Sequence, residues 1–281
     1  MTSIRLILSV LVAGIVAGGL GGYLVSRSPI GLDEQRITQL VSDAVTEADT
    51  DDPAAVSEAS IGPLVERYLL ENPRVLERVS TALNAEIEAE RTEKMKVAVD
   101  ENRDLIYSAD GAVVVGNPNG DVTLVEMYDY NCGYCRSTMP DVVALVDGDP
   151  NLKLVLRQFP ILSQGSVDAA KVGVLVAKSG FDYWSFHQAL FTGRGQVDGE
   201  TALRAAADLG LRPEDLRAKL VDPEVGAALD NSYKLAQQLQ ITGTPTFIIG
   251  DEVIPGAVGV DVLRAKIANV RKCGSTRCPD S

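Results

Sequence analysis

The chain has 281 residues, a formal net charge of −13 and four cysteines in two close pairs. This acidity argues against a nucleic-acid partner, because phosphate binding requires basic patches. Since His187 is the single histidine, a zinc site would need both cysteine pairs to converge, and their CxxC and CxxxxC spacings match zinc sites poorly. We therefore expect no metal and no nucleic acid. Paired cysteines also fit an oxidising compartment.

An uncharged run follows Arg5 and extends from Leu6 to Val25, about 20 residues, which suffices to span a bilayer. No small-x-small cleavage site follows it, so we favour an uncleaved anchor over a removed signal peptide. The positive-inside rule then places the N-terminus in the cytoplasm and the cysteines outside it. Residues 1–32 are thus expected to be an inner-membrane anchor, with the rest of the chain in the periplasm.

Residues 33–110 are predicted to form a helical stalk. Apolar spacing from Ile37 to Val45 indicates a short amphipathic helix, and the acidic stretch Asp49 to Pro53 reads as a linker. Gly62-Pro63 is expected to begin a second helix, and Asn72-Pro73 is expected to begin a third.

The third stalk helix carries an apolar stripe formed by Leu76, Val79, Leu83 and Ile87, at three-four spacing. The stripe favours self-association, as a trimer or a dimer, through a short coiled seam. Packing against the chain's own globular domain and a solvated spacer helix remain the alternatives.

The stretch Val122 to Pro140 places a strand pattern, Cys132-Gly133-Tyr134-Cys135 and a helical pattern in that order. A thiol at a helix N-terminus is favoured as the thiolate by free N–H groups and the macrodipole. A thiolate with a second thiol in reach is what thiol–disulfide exchange requires. A lone CxxC could also be half a zinc site or a structural bridge, but strand, CxxC and helix together favour a redox pair.

Alternation along the strand places Glu126 on one face with buried neighbours, six residues before Cys132. A carboxyl group there would lose solvation, its pKa would rise, and it could relay protons to or from the thiol pair. The alternative is an ordinary acid near a strand end. Asn151 to Phe159 is predicted to form the next strand, parallel to the first.

A helical insertion is predicted over about 162–240, between two halves of a sheet. Asp182 is expected to cap a helix from Tyr183 to Phe191, and Asp222-Pro223 is expected to cap a long helix that extends through Leu239. His187, in the insertion, is read as structural.

The sheet pattern resumes at Gly243, where Thr244-Pro245 precedes a buried strand. Proline cannot donate to the ladder there, and a cis bond is tolerable. Such a bond could present the Thr244 backbone to an extended substrate peptide, and we place Tyr134 in the same substrate-binding surface.

Glu126 six residues before the CxxC, the helical insertion and GTPTF ahead of a hairpin together resemble the DsbA family of thioredoxin-fold oxidoreductases. The segments EMYDYNCGYC, FPIL and GTPTFIIGDEVIPGAV are most similar to its suppressor-of-copper-sensitivity C branch, whose members carry N-terminal extensions. The resemblance spans about Leu64 to Val270 and implies an α/β thioredoxin fold over 111–272. It also implies the roles of four residues, which are the exposed nucleophile Cys132, the buried resolving thiol Cys135, the proton relay Glu126 and the cis-proline Pro245.

Two departures from the family pattern bear on the direction of electron flow. Gly133-Tyr134 stands where the strongest oxidases have Pro-His, and Thr244 before the proline resembles isomerases. These departures favour isomerase or reductase activity over one-way oxidation.

The sequence predicts a periplasmic thiol–disulfide oxidoreductase or isomerase that acts on unfolded or misoxidised secreted proteins. It needs no cofactor, because the dithiol carries the electrons, and a membrane redox partner protein would reset it. The first alternative is a copper-binding or copper-tolerance protein that uses the same cysteines as soft ligands. Two further alternatives are a dedicated disulfide reductase and a passive scaffold. Cys273 and Cys278, in the tail 273–281, are expected to form a structural disulfide that catalysis does not need.

Overall fold

The structure is a computed structural model and describes residues 58–108 and 111–279. The expected anchor (1–32), the helix from Ile37 to Val45 and the acidic linker at 49–53 lie outside the described residues. Across the described ranges, no helix is both long and apolar enough to cross a membrane. The chain divides into two compact units, one ending at Glu88 and the other beginning at Ala89. The boundary expected near residue 110 stays a prediction.

Three helices precede the sheet: α1 (Glu58–Glu71), α2 (Arg74–Glu101) and α3 (Arg103–Tyr107). The expected helix start at Gly62-Pro63 is wrong, because α1 already includes Glu58 and Pro63 lies inside it. A proline this near the helix start removes one intrahelical bond, to the carbonyl four residues earlier, and the helix tolerates that loss. The α2 stripe residues Leu76, Val79, Leu83 and Ile87 are 38–55% exposed.

A five-stranded mixed sheet is at the centre of the second unit, with strand order β1-β3-β2-β4-β5. Its parallel pair, β2 (Val122–Tyr128) and β3 (Leu152–Gln158), is joined by α4 (Gly133–Gly148), as the sequence predicted. β4 (Thr246–Ile249) pairs antiparallel with β2 and with β5 (Glu252–Pro255). This is a thioredoxin-like α/β fold.

The sequence analysis missed the edge strand β1 (Ala112–Gly116), which pairs antiparallel with β3. Its run of valines favours a strand, but the sequence analysis places the first strand pattern at Val122, after the turn at Asn117 to Gly120. The structure shows that this turn instead joins β1 to β2.

Helices cover both faces of the sheet, and the alternation along β2 decides which side chain meets which layer. Val122, Leu124 and Tyr128 face a core that includes α4 and the closing helix α10 (Val260–Cys273). Val125 and Met127 face the opposite core, which includes Val99, Ile106 and Leu235. Glu126 is therefore on the α4 side of the sheet, as the alternation predicted.

Five helices form the insertion between β3 and β4. They are α5 (Gln164–Lys178), α6 (Tyr183–Thr192), α7 (Gly199–Asp208), α8 (Pro213–Lys219) and α9 (Pro223–Gln238). The side chain of Asp182 caps α6 at the N–H of Ser185, as predicted. Asp222 is the N-cap residue of α9, which begins at Pro223 as predicted, although the Asp222 side chain makes no capping hydrogen bond.

Candidate active site

The two free thiols lie where β2 passes into α4. Cys132 is the N-cap of α4 with extended backbone angles, and its Sγ accepts a hydrogen bond from the Cys135 N–H at 3.3 Å. β2 ends at the edge of the sheet where the parallel strands β2 and β3 have their C-terminal ends. The chain then enters α4 through its N-cap residue, Cys132. The first thiol therefore meets the positive end of the α4 dipole.

The expectation that Cys132 is exposed is wrong, because only 6% of the residue is accessible. The cause lies 112 residues away, where Thr244 covers the thiol and the Cys132 Sγ donates to the Thr244 carbonyl oxygen at 3.1 Å. Cys135 is more deeply buried, at 1% exposure. Cys132 is nevertheless the outer of the two sulfur atoms.

Hydrogen bonding lowers the pKa of Cys132 to about 5, first through the Cys135 thiol and further through the backbone N–H groups of Cys135 and Tyr134. Burial opposes this effect without cancelling it. For Cys135, burial raises the pKa far above its ordinary value, and the hydrogen bond to Cys132 adds to the rise. The pair thus holds one thiolate and one thiol at neutral pH, the asymmetry that disulfide exchange uses.

Glu126 is buried beneath these thiols, with 2% of its surface accessible. Burial raises its pKa to about 8, and the Cys132 charge contributes to the rise. Its Oε2 has no hydrogen-bond partner among the described residues. The carboxyl group is therefore largely protonated at neutral pH while Cys132 is ionised, and it is electrostatically coupled to both thiols.

The Thr244–Pro245 peptide bond is cis and lies directly before β4. The Pro245 carbonyl accepts the Gly256 N–H at 2.8 Å, and the Thr246 hydroxyl donates to the Gly243 carbonyl at 2.8 Å. These bonds fix the loop against the thiols and place Thr244 against Cys132. Tyr134, also assigned to substrate binding, projects outward with 70% of its surface exposed.

Sequence reasoning missed Asp129 and Asn131, which brace the loop before Cys132. The buried Asp129 carboxylate accepts the N–H groups of Asn131, Ile161 and Leu162 at 2.8–3.0 Å. The side-chain amide of Asn131 forms hydrogen bonds with both the N–H and the carbonyl oxygen of Val197. Two short polar residues between a strand and an N-cap are the signal in the sequence, but their partners are distant along the chain.

His187 is fully buried beside three tyrosines, and burial lowers its pKa to about 3. The Tyr183 hydroxyl bonds those of Tyr128 at 2.5 Å and Tyr130 at 3.1 Å, and the Tyr130 hydroxyl lies 3.4 Å from His187 Nδ1. The histidine is neutral and packs α6 against the thiol-bearing loop. This fits the structural role read from the sequence.

Cys273 and Cys278 form a disulfide at the end of α10. The tail between them is held on the β4–β5 turn, where Asp251 accepts from the Ser275 hydroxyl at 2.7 Å and the Thr276 N–H at 2.9 Å. That turn is at the opposite end of β4 from Pro245. Within residues 58–108 and 111–279, no group of three or more His, Cys, Asp or Glu side chains is arranged to hold a metal.

Residues 123–268 match the DSBA-like thioredoxin domain, and residues 58–90 match the copper resistance protein ScsC N-terminal domain. The first match covers the sheet from β2 onward without the edge strand β1, together with both thiols, the insertion and most of α10. The second covers α1 and the first part of α2.

A solved thioredoxin-like oxidoreductase from Silicibacter pomeroyi DSS-3 is similar at 42% identity and a TM-score of 0.59, covering 61% of this chain and 99% of that one. Disulfide bond formation protein D of Bacillus subtilis (strain 168) is 26% identical over 171 residues, which are 57% of this chain and 77% of that protein. The Na(+)/H(+) antiporter NhaA 1 of Salinispora arenicola (strain CNS-205) is 25% identical over 178 residues, where the match spans 62% of this chain and only 26% of the antiporter. With its thioredoxin-like sheet, its N-cap thiol and a domain match over more than half its length, the chain belongs to the DSBA-like thioredoxin domain family, in a form that carries an ScsC-type N-terminal segment.

Proposed function

We propose that this protein is a thiol–disulfide oxidoreductase that exchanges disulfides with secreted proteins through Cys132 and Cys135. The observation that carries the proposal is the opposite displacement of the two thiol pKa values, which places a thiolate at the outer position and a thiol beneath it. The buried Glu126 supports the same function, because it is a proton carrier coupled to both sulfur atoms.

In the oxidising direction, a substrate thiolate attacks Sγ of Cys132 in the Cys132–Cys135 disulfide. A mixed disulfide forms and Cys135 leaves as a thiolate, which takes the proton that the Glu126 carboxyl group holds at neutral pH. A second substrate thiolate then attacks the substrate sulfur of the mixed disulfide and releases the Cys132 thiolate. The substrate is oxidised by two electrons and the dithiol is reduced by two.

In the reducing or isomerising direction, the Cys132 thiolate attacks a substrate disulfide and releases one substrate thiolate. The mixed disulfide carries no charge on Cys132, so one of the two causes that raise the Glu126 pKa is gone. Glu126 ionises more readily and can accept the Cys135 proton. The new Cys135 thiolate attacks Sγ of Cys132, closes the active-site disulfide and releases the second substrate thiolate, so the substrate disulfide gains the two electrons that the dithiol loses. One carboxyl group therefore serves both directions.

The apolar surface around Cys132 supports a protein substrate. Tyr134, Ile161 and Leu162 are all exposed, although two of them follow a buried strand. An unfolded chain offers apolar side chains to such a surface and backbone groups to the Thr244 carbonyl. Tyr134 cannot stabilise a thiolate as a charged histidine would, which favours isomerisation over one-way oxidation.

The proposed setting is the periplasm, with residues 1–32 as an inner-membrane anchor and a membrane redox partner resetting the dithiol. The exposed stripe from Leu76 to Ile87 supports assembly as a trimer or a dimer, because a solvated row of apolar residues on one helix face is typical of a coiled seam. Several thiol pairs around one cleft would raise their effective concentration for a misoxidised substrate.

Refolding of a scrambled multi-disulfide protein tests the proposed function. The wild-type protein in glutathione buffer should accelerate recovery of the native disulfides, and Cys132→Ser should reduce the rate to that of buffer alone. An Asn269→Ala variant is the control, because the Asn269 side chain donates a hydrogen bond to the Thr276 carbonyl in the C-terminal tail, at the opposite end of β4 from Pro245. If the wild-type and Cys132→Ser proteins give the same rate, the proposed function is wrong.

A further inference from the structure

The side chain of Asn131, the residue before Cys132, is bonded to a backbone segment 66 positions later. Its Oδ1 accepts the Val197 N–H at 2.7 Å, and its Nδ2 donates to the Val197 carbonyl oxygen at 2.8 Å. The amide thereby forms the two-bond pairing that one strand residue makes with another. Val197 is itself buried and lies between α6 and α7, in the helical insertion.

A third bond ties the same amide to another helix of the insertion. Asn131 Nδ2 also donates to the Ser166 hydroxyl at 2.9 Å, in the first turn of α5. Asparagine suits this place because its amide offers an acceptor and two donors in one plane. Aspartate would present two acceptors to the Val197 carbonyl and the serine, and alanine would leave both Val197 backbone groups without a partner.

The loop transmits the position of Asn131 directly to the thiol. The Asn131 N–H donates to Asp129 Oδ1 at 2.8 Å, and the Cys132 N–H donates to the Asp129 carbonyl at 3.0 Å. These bonds close a tight turn that leaves Cys132 little freedom of its own. A shift of Asn131 therefore moves Sγ relative to the Cys135 N–H and the Thr244 carbonyl, which lie 3.3 and 3.1 Å from it.

We propose that Asn131 is a positioning residue, through which the helical insertion fixes the Cys132 sulfur at the N-terminus of α4. The insertion thereby acts on the chemistry without contributing a group that touches the reacting sulfur atoms. The proposal rests on the proposed function, since it concerns how Cys132 is held for disulfide exchange.

The test compares wild-type protein with Asn131→Ala and with Asn269→Ala, all reduced and full length. Asn269 is the matched control, because its Nδ2 also donates to a backbone carbonyl outside its own helix, that of Thr276 at 2.9 Å in the C-terminal tail. Alkylation of Cys132 is followed from about pH 4 to 9 by peptide mass, and the equilibrium with glutathione and the thermal midpoint are measured for each protein.

A loss of positioning should raise the Cys132 pKa in Asn131→Ala, and a rise of one unit lowers the alkylation rate near pH 5 about fivefold. The same rise shifts the glutathione equilibrium about tenfold toward the oxidised protein. Asn269→Ala should lower the thermal midpoint while leaving both thiol measurements at the wild-type values. A merely structural role for Asn131 would produce that same result in Asn131→Ala, and would overturn the proposal.

If Asn131→Ala does not fold, Asn131→Ser decides the question by the same measurements. Serine keeps a hydroxyl at the position but cannot make both Val197 bonds, so a wild-type alkylation profile would overturn the positioning role. The two proposals fail in different ways. A wild-type Cys132 that reacts like an ordinary thiol overturns the proposed function, whereas an acidic wild-type Cys132 unchanged by the substitution overturns only the positioning role.

Discussion

The sulfur of Cys132 lies 3.1 Å from the carbonyl oxygen of Thr244, across 112 residues of sequence. This contact is made by the protonated thiol, which donates to the carbonyl. Once Cys132 ionises it has no proton to donate, and the carbonyl is available to a new donor. The nucleophile and the acceptor for a substrate backbone are therefore released together.

This relationship predicts how a peptide substrate binds. A short peptide disulfide whose N–H next to the cysteine is replaced by N–CH3 should lose one hydrogen bond to Thr244, worth about 1 kcal/mol, and its KM should rise about fivefold. The same methyl group placed four residues from the cysteine is the control and should change little. Equal KM values for the two methylated peptides would show that Thr244 does not pair with the substrate.

Glu126→Gln tests the buried carboxyl group through the pH dependence of stability. The folded-state pKa of Glu126 is about 8, above its ordinary value, so the wild-type protein loses stability as the pH rises from about 4.5 toward 8. The variant lacks this loss and should be more stable by roughly 5 kcal/mol above pH 8, with little difference near pH 4. Urea unfolding of the reduced proteins at both pH values measures the effect, and parallel curves would contradict it.

Glu126→Gln should also slow disulfide exchange, although the substitution preserves the size of the side chain. Without a proton carrier beside Cys135, resolution of the mixed disulfide should slow by about 10- to 100-fold, whereas attack by Cys132 should change less. Stopped-flow trapping of the mixed disulfide separates the two steps. Loss of rate in the first step alone would remove Glu126 from the relay role.

The tail disulfide is expected to stabilise the fold without serving catalysis. Closing the short loop between Cys273 and Cys278 contributes about 2 kcal/mol by the chain-entropy model. A Cys273→Ser/Cys278→Ser variant should lose about that much stability and keep its turnover, because the tail packs on the turn at the far end of β4. A folded variant without turnover would instead identify the pair as a second redox relay.

The stalk stripe is expected to hold the assembly together. Leu76→Glu/Leu83→Glu places charge at two positions that are 55% and 53% exposed in the single chain, so the subunit should fold while the assembly dissociates. Thr81→Glu/Ala85→Glu adds the same charge on the opposite face of α2 and is the control. Light scattering on both variants and the wild type gives the masses, and a wild-type monomer would end the proposal.

Local patterns were sufficient to predict the centre of this site. The alternation along β2, the CxxC and the capping signals of α6 all act within a few residues, and each is found where the sequence placed it. The features that the sequence could not predict depend on contacts between residues that are far apart in the chain. Cys132 is covered by Thr244, and Asn131 is hydrogen-bonded to Val197, which lies 66 residues later in the chain. No sequence pattern near Cys132 therefore indicates that the thiol is buried or that its loop is braced.

The strand β1 was missed for a related reason. The strand is only five residues long, four of them are intermediate in burial and Gly116 is exposed. Its pairing partners, Lys153 to Arg157, lie about forty residues later in the chain. The membrane anchor, by contrast, rests on sequence alone, because residues 1–32 are not among those the structure describes.

The pH profile of thiol alkylation in the reduced wild-type protein tests the central claim most directly. Cys132 should react with a midpoint near pH 5, as its pKa of about 5 requires, while Cys135 stays unmodified across the neutral range. Peptide mass spectrometry assigns each label to its cysteine. Equal labelling of the two cysteines, or a Cys132 midpoint near the ordinary value of about 8.5, would contradict the account.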